Sequence, residues 1–126
     1  MQLPLFVCKA GFPSPAQDME EKSIDITQLL VPHPLTTFIA QVEGASMREL
    51  GIFSQDYLVI DRSLPVQSGD VVVVRIGNSL LVKQYIKRRN QIVFTSADKK
   101  QQLIPAMEDW EIWGKVALRF GKPYAV

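Results

Sequence analysis

From Thr36 onward, apolar and polar residues alternate with a period of two. That spacing sends successive side chains to opposite faces of a strand. In TTFIAQVEG the residues Phe38, Ala40 and Val42 share one face. DYLVID reads as a short strand, and DVVVVRIG is a β-branched run of the kind buried on one or both faces. Gly77-Asn78 has turn chemistry, so SLLVKQYIKR is expected to return as a hairpin partner. NQIVFTS and DWEIWGKVALRF are two further strand candidates. Turn signals recur at Gly51, Pro65, Ser68-Gly69, Asn90 and Gly114. Many short strands with little helix predict a mostly β protein built on a compact, curled antiparallel sheet.

Residues 1–37 differ. They hold Pro4, Pro13, Pro15, Pro32 and Pro34, five of the eight prolines. AGFPSPAQD is turn-rich and aperiodic, and Pro13 and Pro15 bias Phe12 and Ser14 toward extended geometry. Within SIDITQLL a short helix is expected, capped by Ser23 or Asp25, with Ile26, Leu29 and Leu30 on its apolar face. The expected organisation is an extended N-terminal arm over 1–37 and a β-rich domain over 38–126.

Composition narrows the functional classes. The chain has 126 residues, 47% of them hydrophobic, enough for one core without metals or disulfides. With 14 basic and 13 acidic residues the net charge is +1, so nucleic-acid binding has no basic surplus to draw on. The single cysteine, Cys8, forms no internal disulfide, which favours a reducing compartment. The apolar runs near DVVVVRI and SLLVKQYI are broken by Asp70, Arg75 and Lys83, too short to span a membrane. A cytoplasmic protein without cofactor or metal is the expectation.

Candidate chemistry centres on VEGASMREL. Ser46-Met47-Arg48-Glu49 fits the S-x-x-E capping box, which would make Ser46 a helix cap and nothing more. Gly44 permits a sharp turn before it, and a serine at a helix start has backbone N–H groups nearby, the material of an oxyanion hole. A nucleophilic serine needs a base. His33, the only histidine, lies in the proline-bracketed VPHPL, and it would also have to serve a nucleophilic Cys8. Lys83 is the alternative. Alternation groups it with Leu81 and Tyr85, inside an apolar strand. Burial lowers a lysine pKa by up to ~3–5 units, and a neutral amine can take a hydroxyl proton. A snorkelling edge lysine is the structural alternative. Lys87-Arg88-Arg89 reads as a solvated strand end, and Trp110, Trp113 and Phe120 as core or interface residues.

EGASM, GIFSQDYLVIDRSL, SGDVVVV, LLVKQYI and EIWGKV, in that order, resemble the LexA/UmuD family of Ser–Lys self-cleaving proteins. AGFPSPAQD and IDITQLLVPHP resemble its UmuD branch. The resemblance covers nearly the whole chain. It implies that Ser46 is the nucleophile and Lys83 its base. It also implies that the backbone N–H groups of Ala45 and Ser46 form the oxyanion hole, and that the scissile bond is Ala10-Gly11. The implied protein is a homodimer of the SOS response to DNA damage. A RecA–single-stranded-DNA filament stimulates its cleavage, and the trimmed form is the accessory subunit of a UmuC-type Y-family translesion polymerase. Neither sequence-specific DNA binding nor membrane attachment is implied. The chain departs from the family pattern at Ala45, in RELGI and SQD, and at Gln84. Cleavage in cis and in trans both remain open. A non-catalytic β-rich dimerisation module, related to phage repressor C-terminal domains, is the alternative reading.

Overall fold

A computed structural model describes residues 1–11, 20–100, 102–103 and 109–121. The expected extension at Phe12 and Ser14 falls outside these residues. The chain divides into two compact units, Met1–Pro32 and His33–Val126.

In the first unit, β1 (Gln2–Leu5) pairs antiparallel with β2 (Lys22–Asp25), from Gln2 opposite Asp25 to Leu5 opposite Lys22. This ladder was not expected from the proline-rich composition. A two-stranded sheet consists of edges only, so Pro4, opposite Ser23, can direct its missing N–H away from the partner strand. The predicted helix is present as α1 (Ile26–Leu30). Asp25 is its cap: the carboxylate accepts from the Gln28 N–H at 3.2 Å.

Among the described residues, the second unit holds one seven-stranded sheet. Its strands are β3 (Thr37–Gln41), β4 (Tyr57–Asp61), β5 (Val71–Ile76), β6 (Ser79–Arg88), β7 (Gln91–Thr95), β8 (Gln102–Leu103) and β9 (Trp110–Phe120). The spatial order is β3-β4-β9-β5-β6-β7-β8, and every pairing is antiparallel. The mostly β, antiparallel expectation holds. The short β8 was not foreseen. The β5–β6 hairpin closes at Gly77-Asn78, with Ile76 opposite Ser79 and Gly77 at φ +58°, the backbone a type II′ turn asks of its first central residue.

Both faces of the sheet are covered, which explains the unbroken valine run of β5. Val73 joins Val42, Met47, Ile52, Leu58 and Ile60 in one core. Val72 and Val74 join Phe94 in a second. The long β9 serves both cores because it is bulged. Val73 pairs with Gly114 but Val74 with Ile112, so Trp113 is an extra residue between them. A bulge adds twist and resets which side chains face which side. Thus Trp110 and Ile112 pack on the second core, while Trp113 and Val116 pack on the first. Trp113 meets Phe38 edge-on at 5.9 Å and Trp110 meets Phe94 at 5.6 Å. Phe120, by contrast, is exposed and stacks on Tyr57. No helix among the described residues is long and apolar enough to cross a membrane.

Candidate active site

The segment that carries Ser46 links β3 to β4 and is pinned at both ends. Val42 and the strand start exchange hydrogen bonds: Val42 N–H to the Asp56 carbonyl at 2.9 Å, and Gln55 N–H to the Val42 carbonyl at 2.7 Å. Val42, Met47 and Ile52 are buried anchors in the first core. Between the first two of them the chain must reverse, and Gly44 does this at φ +103°, where side-chain-bearing residues are strained. Its N–H donates to Ser54 Oγ at 3.2 Å.

Ser46 is not a helix cap. The helix that follows is one 3₁₀ turn, Arg48–Leu50, whose N-cap is Met47 and which has no side-chain cap. The capping-box expectation fails for two reasons. Burial of Met47 fixes that residue as the point of entry, and Gly51, left-handed at φ +80°, ends the helix after a single turn. The Ser46 carbonyl is instead taken by the Ala97 N–H at 3.0 Å. The backbone N–H groups of Ala45 and Ser46 donate no hydrogen bond among the described residues.

Lys83 sits mid-strand in β6, between β5 and β7, opposite Val72. It is 5% exposed. Its alternation partners Leu81 and Tyr85 pack on the second core as predicted. Burial penalises the charged amine and sets its pKa below the ordinary lysine value, and the Asp98 carboxylate acts in the opposite direction. Asp98 itself lies below the usual carboxylate range. The hydrogen bond from Ser96 Oγ at 2.5 Å is the chief cause and the Lys100 N–H at 3.0 Å the next. Lys87, Arg88 and Arg89 are exposed, as a solvated strand end should be.

Ser46 and Lys83 line one cleft of about 360 Å³, together with Gly44, Met47, Leu80 and Val82. A half-buried hydroxyl and a buried amine of lowered basicity therefore share a partly apolar space. Hydroxyl, amine and undonated backbone N–H groups are the three elements that acyl transfer needs.

The other candidates lie elsewhere. His33 Nδ1 contacts Asp61 Oδ2 at 2.5 Å. Ser63 Oγ approaches the same nitrogen at 3.4 Å and donates to Asp61 Oδ1 at 2.7 Å. A nucleophilic triad needs serine and aspartate on opposite imidazole nitrogens, so this cluster is a clasp around a buried carboxylate. Cys8 is exposed, in the first unit, as are Ala10 and Gly11. No group of three His, Cys, Asp or Glu among the described residues is placed to hold a metal ion. The sequence reading missed Ser54, Asp61 and Asp98. Asp98 lies three residues past the end of β7, in a common turn-forming pattern, and only the fold lets its charge act on Lys83.

The Peptidase S24-like family matches residues 4–117. The chain is 39% identical over 109 residues to the protein MucA of Salmonella typhimurium, covering 85% of this chain and 75% of MucA. It is 39% identical over 87 residues to the protein ImpA of Escherichia coli, covering 68% of this chain and 60% of ImpA. It is 33% identical over 102 residues to the LexA repressor of Thiobacillus denitrificans, covering 81% of this chain and 46% of the repressor. The chain thus spans less than two thirds of the length of ImpA.

Proposed function

The chain belongs to the Peptidase S24-like family, the family of LexA and UmuD, and from that premise we propose that it is a serine endopeptidase that cuts its own backbone at Ala10-Gly11. The observation that carries this reading is the shared cleft of Ser46 and buried Lys83. In the proposed mechanism the neutral Lys83 amine takes the Ser46 Oγ proton as Oγ attacks the Ala10 carbonyl carbon. The resulting oxyanion is received by the Ala45 and Ser46 N–H groups. Collapse breaks the Ala10–Gly11 bond, and the departing Gly11 amine takes the proton from the Lys83 ammonium. Water, with Lys83 again as base, then hydrolyses the Ala10 ester on Ser46 and restores the hydroxyl.

We place this activity in SOS mutagenesis, in line with the LexA/UmuD membership. A homodimer, a RecA–single-stranded-DNA filament that stimulates the cut, and a UmuC-type Y-family polymerase that takes up the trimmed form complete the proposal. The test is the intact mass of the purified chain after incubation at rising pH, and after incubation with RecA, an ATP analogue and single-stranded DNA. Loss of the first ten residues is expected, and it should vanish in Ser46→Ala and Lys83→Ala. A Ser46→Ala chain that is still cut at Ala10-Gly11 overturns the mechanism. A chain intact under every condition favours the non-catalytic module.

A further inference from the structure

A second serine stands beside the turn that carries Ser46. Ser54, on the approach to β4, accepts the Gly44 N–H on its Oγ at 3.2 Å. Glu43, Gly44 and Ala45 are exposed, and a Cβ added at Gly44 would meet no atom within 4 Å. Packing does not fix this stretch, so its hydrogen bonds must. Beyond the turn, the Ser46 carbonyl is held by the Ala97 N–H at 3.0 Å. Before the serine, the tie is the one from Gly44 to Ser54. Peptide units are planar. Once the plane that bears the Gly44 N–H is fixed, only the φ and ψ angles of Gly44 and Ala45 separate it from the Ser46 N–H.

Ser54 is itself aimed by a strained turn. The Asp56 N–H donates to the Phe53 carbonyl at 3.0 Å, and the buried Asp56 carboxylate accepts from the Phe53 N–H at 2.9 Å. Within this turn Gln55 takes φ +76°, the left-handed value that a type II turn asks of its third residue. A side-chain-bearing residue is strained there, and such strain persists only where the surroundings over-determine the backbone. They do so here. The Gln55 N–H donates to the Val42 carbonyl at 2.7 Å, and Gln41 Nε2 reaches the Gln55 carbonyl at 3.4 Å. The result is that Ser54, the second residue of the turn, faces Gly44.

We propose that Ser54 is a positioning residue for Ser46: its hydroxyl fixes the turn at Gly44, and so sets the Ser46 Oγ and the Ala45 and Ser46 N–H groups for attack. The proposal rests on the reading of Ser46 as the nucleophile. Ser54 is uncharged and is not among the residues that line the Ser46–Lys83 cleft. It therefore acts on the geometry of the serine turn and not on the ionisation of Lys83.

The test is Ser54→Ala, which removes the acceptor, with Ser54→Thr as the variant that keeps the hydroxyl. Hydrogen exchange of the Gly44 amide is read by NMR in a Ser46→Ala background, where the chain stays intact. Cleavage rate is measured against pH in chains that keep Ser46, with the folded fraction taken from urea denaturation. Ser54→Ala should speed Gly44 exchange and lower the high-pH plateau by about 2–10-fold, the worth of one hydrogen bond. The midpoint of the rising limb should stay, and Ser54→Thr should restore both exchange and plateau. Unchanged Gly44 exchange overturns the proposal, as does faster exchange with a wild-type plateau. A shifted limb overturns it too, because Ser54 would then act through Lys83. A plateau that merely follows the folded fraction marks a structural role and has the same consequence. If the wild-type chain itself is never cut, the reading of Ser46 as nucleophile falls and the proposal with it, whatever Gly44 exchange shows.

Discussion

Ala97 donates its backbone N–H to the carbonyl of Ser46 at 3.0 Å. This bond joins two segments 51 positions apart (97 − 46). It explains how a serine on a loop and a lysine on a strand come to line one cleft. The β6–β7 hairpin carries Lys83 on one arm and ends the other arm in the turn that grips the serine segment. Buried Met47 holds the opposite side. Loops that carry function are positioned by a rigid scaffold in this way.

Cleavage is expected to depend on the deprotonation of Lys83. Its pKa is lowered by burial, so the rate should rise about tenfold per pH unit below that pKa and level off before the ordinary lysine value of 10.5. The same group affects stability. Between its lowered pKa and 10.5 the unfolded chain binds more protons than the folded one, so the fold gains stability as pH rises through that window. Initial rates by mass spectrometry across pH 6 to 11 check the first point, and a flat profile would exclude Lys83 as the base.

Gly44→Ala should damage cleavage more than folding. Open space surrounds the position, so the cost is backbone strain at φ +103°, of the order of 1–3 kcal/mol. Relaxing that strain moves the turn that carries Ser46. A chemical denaturation curve and a cleavage assay on one preparation separate the two effects. Unchanged cleavage would show that the turn tolerates a different backbone.

Gly114→Ala should destabilise by overpacking. A Cβ there would lie 2.6 Å from Ile60 Cγ2 and 3.4 Å from the Arg62 backbone. Ile60 is fully buried and cannot swing aside, so a loss of about 1–3 kcal/mol is expected in urea denaturation. Phe94→Ala empties the centre of the second core and should cost about 3–5 kcal/mol. Leu35→Ala, at a fully exposed position, should stay within about 0.5 kcal/mol.

The His33–Asp61 clasp should make the fold acid-sensitive. Asp61 lies well below the usual carboxylate range, first because of the His33 hydrogen bond and then through Ser63 and Thr36. A depressed carboxylate contributes its full stability above the unfolded value of ~3.9 and loses it as pH falls toward its folded pKa. The melting-temperature gap between wild type and Asp61→Asn should therefore be widest at neutral pH and narrow as the pH drops below ~4. A gap independent of pH would mean that the contribution of Asp61 is not one of charge.

Period-two alternation was enough to reveal the main strands of the sheet, because a strand half-buried on a core writes its two faces directly into the chain. Phe38, Ala40 and Val42 did land on one core, and Leu81 with Tyr85 on the other. The β5–β6 hairpin was legible from its turn: Gly77 tolerates the positive φ that a two-residue hairpin loop requires, and most other residues do not. Local pattern failed where distant contacts competed with it. Ser46-x-x-Glu49 is a sound capping box on paper, but burial of Met47 and the bond from Ala97 moved the helix start one residue on. The β1–β2 ladder, the bulge at Trp113, the Asp61 clasp and the bond from Ala97 to Ser46 each join residues far apart in the chain or depend on strand register. No short window of sequence contains both partners of such a contact. The sequence alone therefore yields residue types, strand faces and, by family resemblance, Ser46 and Lys83. Which groups come to surround them is decided only when the strands of the sheet take their register, because those groups come from distant parts of the chain.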